Sequence, residues 1–159
     1  MIISSCKSTT VVKSNRSDSH GYHVESIHVG KANKRQKQIV EEAYTWLGTP
    51  YIYAGAEKGK GTDCSGMVME VYQKVTGAKI PRNSAKQAEY CESIDEENVS
   101  TGDLVFFATG KDKDRISHVG IIVDSNSFIH ASSSKGVVVS DLKNPYYIRT
   151  FKMFGRVPK

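Results

Sequence analysis

The sequence predicts an α+β domain in which helices pack on a mostly antiparallel central sheet. Three observations carry this. Apolar residues recur at helical spacing between residues 39 and 75. Short β-branched and aromatic runs then cluster after residue 104. Helices followed by strands favour α+β over alternating βαβ units. Finally, Asp124-Ser125-Asn126 is a turn between two strand-like runs, so those runs form an antiparallel hairpin.

The elements follow in order. Residues 1–35 form a polar, basic leader or linker, and residues 36–159 form the folded domain. Ile39, Val40, Ala43, Tyr44 and Leu47 put one apolar face on a first helix, with Tyr44 and Trp46 as packing residues. Gly48 ends that helix and Pro50 prevents its continuation. An extended stretch from Tyr51 runs into a Gly/Lys loop ending at Gly61. Met67, Val68, Val71, Tyr72 and Val75 mark a second helix, capped by Thr62 or Asp63 and closed by Gly77. A short third helix starts near Asn83 or Ser84. The strands are 104–107, 118–123, 127–131, 137–139 and 149–154.

At 159 residues and 38% hydrophobic content, the chain can bury a core without disulfides. No run approaches the ~20 apolar residues of a membrane-spanning helix. Residues 1–38 hold seven basic and two acidic side chains, and the rest of the chain holds 15 of each. The net charge of +5 therefore belongs to the leader, which excludes a nucleic-acid-binding body with its own basic face. Such a leader suits anionic lipid or wall polymers, or simply solvent.

Three cysteines, Cys6, Cys64 and Cys91, cannot form a complete disulfide set. Cys64 stands at the start of the second helix, where free amides and the helix dipole favour a thiolate. Locally that leaves it open between a nucleophile and a buried structural thiol. His118 opens one strand of the hairpin and His130 ends the other, so both imidazoles fall at the same end. This is the arrangement a cysteine nucleophile needs: a base and a group that orients it. Cys91 lacks basic neighbours and reads as structural. His20, His23 and His28 lie in a polar leader without a carboxylate cluster, so no metal or other cofactor is expected. Lys111 to Arg115 reads as a solvated charged loop.

The segments Leu47-Gly-Thr-Pro-Tyr51, Thr62-Asp-Cys-Ser-Gly66, Ile80-Pro-Arg-Asn-Ser84, Thr101-Gly-Asp-Leu-Val-Phe-Phe107, Ser117-His-Val-Gly-Ile121 and Phe128-Ile-His-Ala-Ser132 resemble, in order, the NlpC/P60 family of cell-wall peptidases. Within it they look most similar to the Spr-like lipoproteins. The resemblance implies a papain-like core and a cysteine endopeptidase acting through an acyl-enzyme. It assigns Cys64 as nucleophile, His118 as base, His130 as the residue orienting the base, and Tyr51 as an aid to the oxyanion. Asp63, Ser65, Arg82 and Ser84 match the substrate-binding walls. The implied substrate is a peptidoglycan stem peptide, cut between the γ-carboxyl of D-glutamate and a diamino acid. A non-hydrolytic wall-binding lipoprotein and an amine-acceptor transpeptidase are the competing classes.

Two features depart from the family pattern. Ala54 stands where a glycine is common, and the Ala56–Gly61 loop is charged. Ile3-Ser-Ser-Cys6 resembles a lipobox, which would make Cys6 an acylated first residue of a monomer anchored to the outer membrane and facing the periplasm.

Overall fold

A computed structural model describes residues 29–159. Cys6, His20, His23 and His28 lie outside the described residues. The elements run α1 (Lys34–Tyr44), β1 (Ala56–Glu57), β2 (Gly61–Thr62), α2 (Cys64–Thr76), α3 (Ser84–Tyr90), β3 (Glu92–Ile94), β4 (Leu104–Phe107), β5 (His118–Ile122), β6 (Ser127–Ser132), β7 (Gly136–Asp141), α4 (Pro145–Thr150) and β8 (Phe151–Arg156). A single 3-10 turn at Glu96–Asn98 joins β3 to β4. Six strands form one sheet in the order β3-β8-β4-β5-β6-β7, with every pairing antiparallel. The α+β architecture expected from the sequence is the one observed.

Both faces of the sheet are covered, and strand alternation shows how. In β4, Leu104 and Phe106 pack toward α1 and α2, among Ile39, Ala43, Met67 and Val71. Val105 and Phe107 point the other way, against Phe128, Leu142, Phe154 and the partly buried Tyr147 of α4. A strand buried on both faces reads as a continuous apolar run, which is why 104–107 lacks an alternating pattern.

The caps are those the local sequence allows. Asn33 and Gln36 form a capping box at α1. Asp63 caps α2, and left-handed Gly77 (φ 74°) terminates it. Asn83 caps α3. Asn144 caps α4, with Pro145 in its first turn.

Three details differ from the sequence reading. α1 stops at Tyr44, so Tyr44 and Leu47 are 41% and 46% exposed while Trp46 is buried. The apolar face ends with the helix because the chain turns before Leu47 can keep the helical register. Arg149 and Thr150 belong to α4, and β8 starts only at Phe151. The two-residue strands β1 and β2, and β3, are too short to give a periodic signal.

Gly120 fixes how closely β5 and β6 approach. A Cβ there would stand 2.6 Å from Phe128 Cδ2 and 3.2 Å from His130 Cβ. We therefore expect Gly120→Ala to destabilise the fold by about 1–3 kcal/mol through overpacking. Urea unfolding measures this, and a change within 0.5 kcal/mol (roughly the scatter of neutral surface changes) would refute the close-approach argument.

Candidate active site

Cys64 is the first residue of α2, and its side chain is buried at the base of a cleft of about 590 Å³. The cleft is also lined by Tyr51, Asp63, Ser65, Arg82 and Ser84, so all six of these sequence-selected residues meet in one place. The thiol donates over 4.0 Å to the Ser117 carbonyl. Backbone amides of Val119, Ser65 and Cys64 itself favour its anion.

Asp63 ties this wall together. Its Oδ1 accepts from Gly66 N at 2.8 Å, Arg82 Nη1 at 2.9 Å and Ser65 Oγ at 3.3 Å. Its Oδ2 accepts from Ala54 N at 3.0 Å and Arg82 Nη2 at 2.9 Å. A carboxylate offers about four lone-pair sites, so five donors saturate it. Arg82 also reaches Ser65 Oγ and the Gly55 carbonyl, both at 3.0 Å. The Asp63 hydrogen bonds raise the pKa of Arg82 further, the leading cause of its shift. Gly66 leaves room for this: a Cβ there would meet Gly55 O at 2.4 Å. Ala54 holds a left-handed conformation (φ 63°), which a glycine adopts without penalty. Next to it Tyr53 is 86% exposed and lines the cleft.

The hairpin brings the histidines together as its turn implied. His118 faces Phe107 in the β4–β5 ladder, and the β5–β6 register pairs Ile121 with Ile129. His118 Nε2 then lies 2.7 Å from His130 Nδ1, with the rings edge-on at 86°. His130 is 1% exposed, and its ring packs 4.6 Å from that of Phe128. His118 immediately follows Ser117, the residue whose carbonyl the thiol contacts.

Three contributors were not picked out from sequence. Ser140 Oγ lies 2.8 Å from His130 Nε2, and the Tyr147 hydroxyl lies 3.4 Å from the same nitrogen. Ser140 carried no signal beyond sitting at the polar end of a Val-Val-Val strand. Tyr147 stood inside a conspicuous Asn-Pro-Tyr-Tyr segment but had no assigned role. The third is the loop before β5. Gly110, Lys111, Asp112 and Arg115 line the opposite wall of the cleft. That corrects the reading of Lys111 to Arg115 as a merely solvated loop. Cys91 is half-buried, and burial pushes its thiol up to about 12, in keeping with a structural role. Among the described residues no His/Cys/Asp/Glu group could hold a metal.

The electrostatics reverse one expectation. The helix terminus was expected to lower the thiol pKa, but burial outweighs it and pushes Cys64 up to about 11; backbone amides pull it down and the Asp63 charge adds to the rise. Burial pushes His118 down to about 4. Burial, aided by the charge of His118, brings His130 to about 3. Between those limits the site holds a neutral thiol and neutral imidazoles. Burial also raises the pKa of Tyr51, followed by the charges of Cys64 and Asp63, so its hydroxyl stays a proton donor.

Iodoacetamide alkylation of Cys64 should therefore accelerate continuously from pH 7 to pH 10, as thiolate forms only at high pH. Peptide mass spectrometry separates Cys64 from Cys91. A rate already level from pH 5 upward would mean a preformed thiolate–imidazolium pair and overturn this account.

The NlpC/P60 family model matches residues 48–156. A protein of Haemophilus influenzae called "Probable endopeptidase" is 38% identical over 119 residues, covering 75% of this chain and 73% of its own length. The Escherichia coli protein called "Murein DD-endopeptidase MepS/Murein LD-carboxypeptidase" is 36% identical over 122 residues, covering 77% of this chain. The chain spans 63% of that protein's length, a little under two thirds. An NlpC/P60 family protein from Bacillus cereus superposes with a TM-score of 0.71 at 29% identity, over 83% of this chain and 42% of that one. With more than half of its length matched by the family model, this chain belongs to the NlpC/P60 family.

Proposed function

We propose that this chain is a peptidoglycan hydrolase, a cysteine endopeptidase that cuts stem-peptide bonds through an acyl-enzyme. The observation that carries the reading is a cysteine at the first position of α2, lining a cleft, whose thiol meets the carbonyl of the residue before His118, a histidine that lies 2.7 Å from a second histidine. The family membership and the names of the relatives point the same way.

The chemistry is as follows. The Cys64 proton passes to His118 Nδ1 as the sulfur attacks the scissile carbonyl carbon and a C–S bond forms. The oxyanion is met by free amides at the α2 N-terminus and by the Tyr51 hydroxyl. The His118 imidazolium returns its proton to the leaving amine and the C–N bond breaks. Water, deprotonated by His118, then hydrolyses the thioester and restores the thiol. His130 orients His118 throughout. Because the resting pair is neutral, His118 acts as a true base rather than as the partner of a standing thiolate. The saturated Asp63–Arg82–Ser65 cluster and Ser84 form one substrate wall. The second wall carries Lys111 and Arg115, cations suited to the carboxylates of stem peptides.

The bond favoured is that between the γ-carboxyl of D-glutamate and the diamino acid. The name of the E. coli relative favours a second reading, a bond between two D-residues of the cross-link. Cys64→Ala should abolish cleavage of purified muropeptides, a loss of at least about 10³-fold, without changing the melting temperature by more than a few degrees. Product masses identify the bond, and an added acceptor amine separates hydrolysis from transpeptidation. Undiminished cleavage by Cys64→Ala would end the proposal, and wall binding without any cleavage would favour a non-hydrolytic lipoprotein.

The same reading places the catalytic domain at residues 36–159, behind a 1–35 leader, in the bacterial envelope. It takes Cys6 as a lipid anchor to the outer membrane, facing the periplasm, and the protein as a monomer. Cells fed labelled palmitate should label the wild-type protein and not Cys6→Ala; an unlabelled wild type would refute the anchor.

A further inference from the structure

Resting on the peptidase reading above, we propose that Ser140 and Tyr147 are positioning residues that lock His130 into the one tautomer the reaction can use. Protons can be counted along a single file of atoms. For His118 Nδ1 to take the Cys64 proton, that nitrogen must be bare, and the resting hydrogen of His118 must sit on Nε2. His118 Nε2 lies 2.7 Å from His130 Nδ1, so His130 Nδ1 must accept. A neutral imidazole carries one N–H, and for His130 it must then be on Nε2.

An N–H at that position needs an acceptor, because the ring is buried and has no access to water. Ser140 Oγ stands there at 2.8 Å. The Tyr147 hydroxyl stands on the same side, 3.4 Å from this nitrogen. A serine hydroxyl carries two lone pairs and can accept the Nε2 hydrogen while its own hydrogen turns elsewhere. Packing holds the geometry: the His130 ring is 4.6 Å from Phe128 and 5.5 Å from Tyr147, the latter edge-on. The file therefore runs from the cleft through His118 and His130 to β7 and α4.

Removing the Ser140 hydroxyl leaves the Nε2–H of His130 without its short partner. The competing tautomer, with hydrogen on Nδ1, then gains population. It presents a donor to His118 Nε2, which forces the His118 hydrogen onto Nδ1 and occupies the nitrogen that must receive the thiol proton. An Asn at position 130 could turn a carbonyl oxygen to His118 with no tautomer to choose. A histidine there needs this accessory pair.

The test uses the full chain with Ser140→Ala, Ser140→Thr and Tyr147→Phe. Ser140→Ala should lower kcat about tenfold or more, with KM within twofold. Ser140→Thr, which keeps a hydroxyl, should recover most of the loss. Nitrogen-15 NMR of the free protein at neutral pH should show His130 protonated at Nε2 in the wild type and Ser140→Thr, and a tautomer mixture in Ser140→Ala. Tyr147→Phe should fall between wild type and Ser140→Ala in both measurements. Unchanged kcat in Ser140→Ala, or a fall in kcat with His130 still wholly in the Nε2–H form, would overturn the proposal. Failure of the peptidase reading itself looks different: Cys64→Ala would then cleave as well as wild type, whatever Ser140 does.

Discussion

The carboxylate of Asp63 holds the cleft in shape. It does three structural jobs at once: it caps α2, receives both ends of the Arg82 guanidinium, and pins the amide of Ala54. Each job fixes something Cys64 needs. The cap sets the helix end from which its sulfur projects. The arginine pair neutralises a nearly buried charge that would otherwise raise the thiol pKa still further. The Ala54 contact holds the loop carrying Tyr51 and Tyr53 over the cleft. Because this carboxylate is saturated, it serves the cleft as a strut, and a substrate amine would have to displace one of its existing donors. The strained backbone at Ala54 is tolerated because Asp63 and the Gly55–Ile52 bond over-determine it.

Burial sets the electrostatic state of the site. A helix N-terminus can lower a thiol pKa by stabilising its anion, but only while water or a counter-charge helps. Here the sulfur and the His130 ring are buried and His118 is half-buried, and burial favours the neutral forms. In the proposed reaction the proton therefore moves as substrate arrives rather than before. Such a site keeps a poorly reactive thiol in the absence of substrate.

Much of this was legible in the sequence, for identifiable reasons. α2 announced itself through Asp63, the apolar spacing from Met67 to Val75, and Gly77, since cap, stripe and stop agree. The hairpin was legible because Asp124-Ser125-Asn126 separates two apolar runs, and that turn alone aligns His118 with His130. What stayed hidden depends on tertiary neighbours. The end of α1 was overrun because Leu47 keeps helical spacing while the chain has already turned. The loop at Lys111–Arg115 looks solvated because nothing in its own composition reports the cleft it borders. Ser140 was invisible because a serine at a strand end is the commonest of polar residues; only the His130 ring above it gives it meaning.

The far face of the sheet thus has two functions. Phe107, Phe128 and Tyr147 close the second hydrophobic layer, as any covered sheet requires. The Phe128 and Tyr147 rings pack against His130, which is 1% exposed, and that makes its hydrogen-bond partners decisive. In solvent an imidazole satisfies either nitrogen and exchanges tautomers freely. In this layer Nδ1 faces His118, and Nε2 faces Ser140 with the Tyr147 hydroxyl beside it. The core packing behind the sheet and the order of the proton file before it are therefore one constraint. A substitution that loosens α4 against β6 acts on His118 through His130, although it touches neither Cys64 nor the cleft.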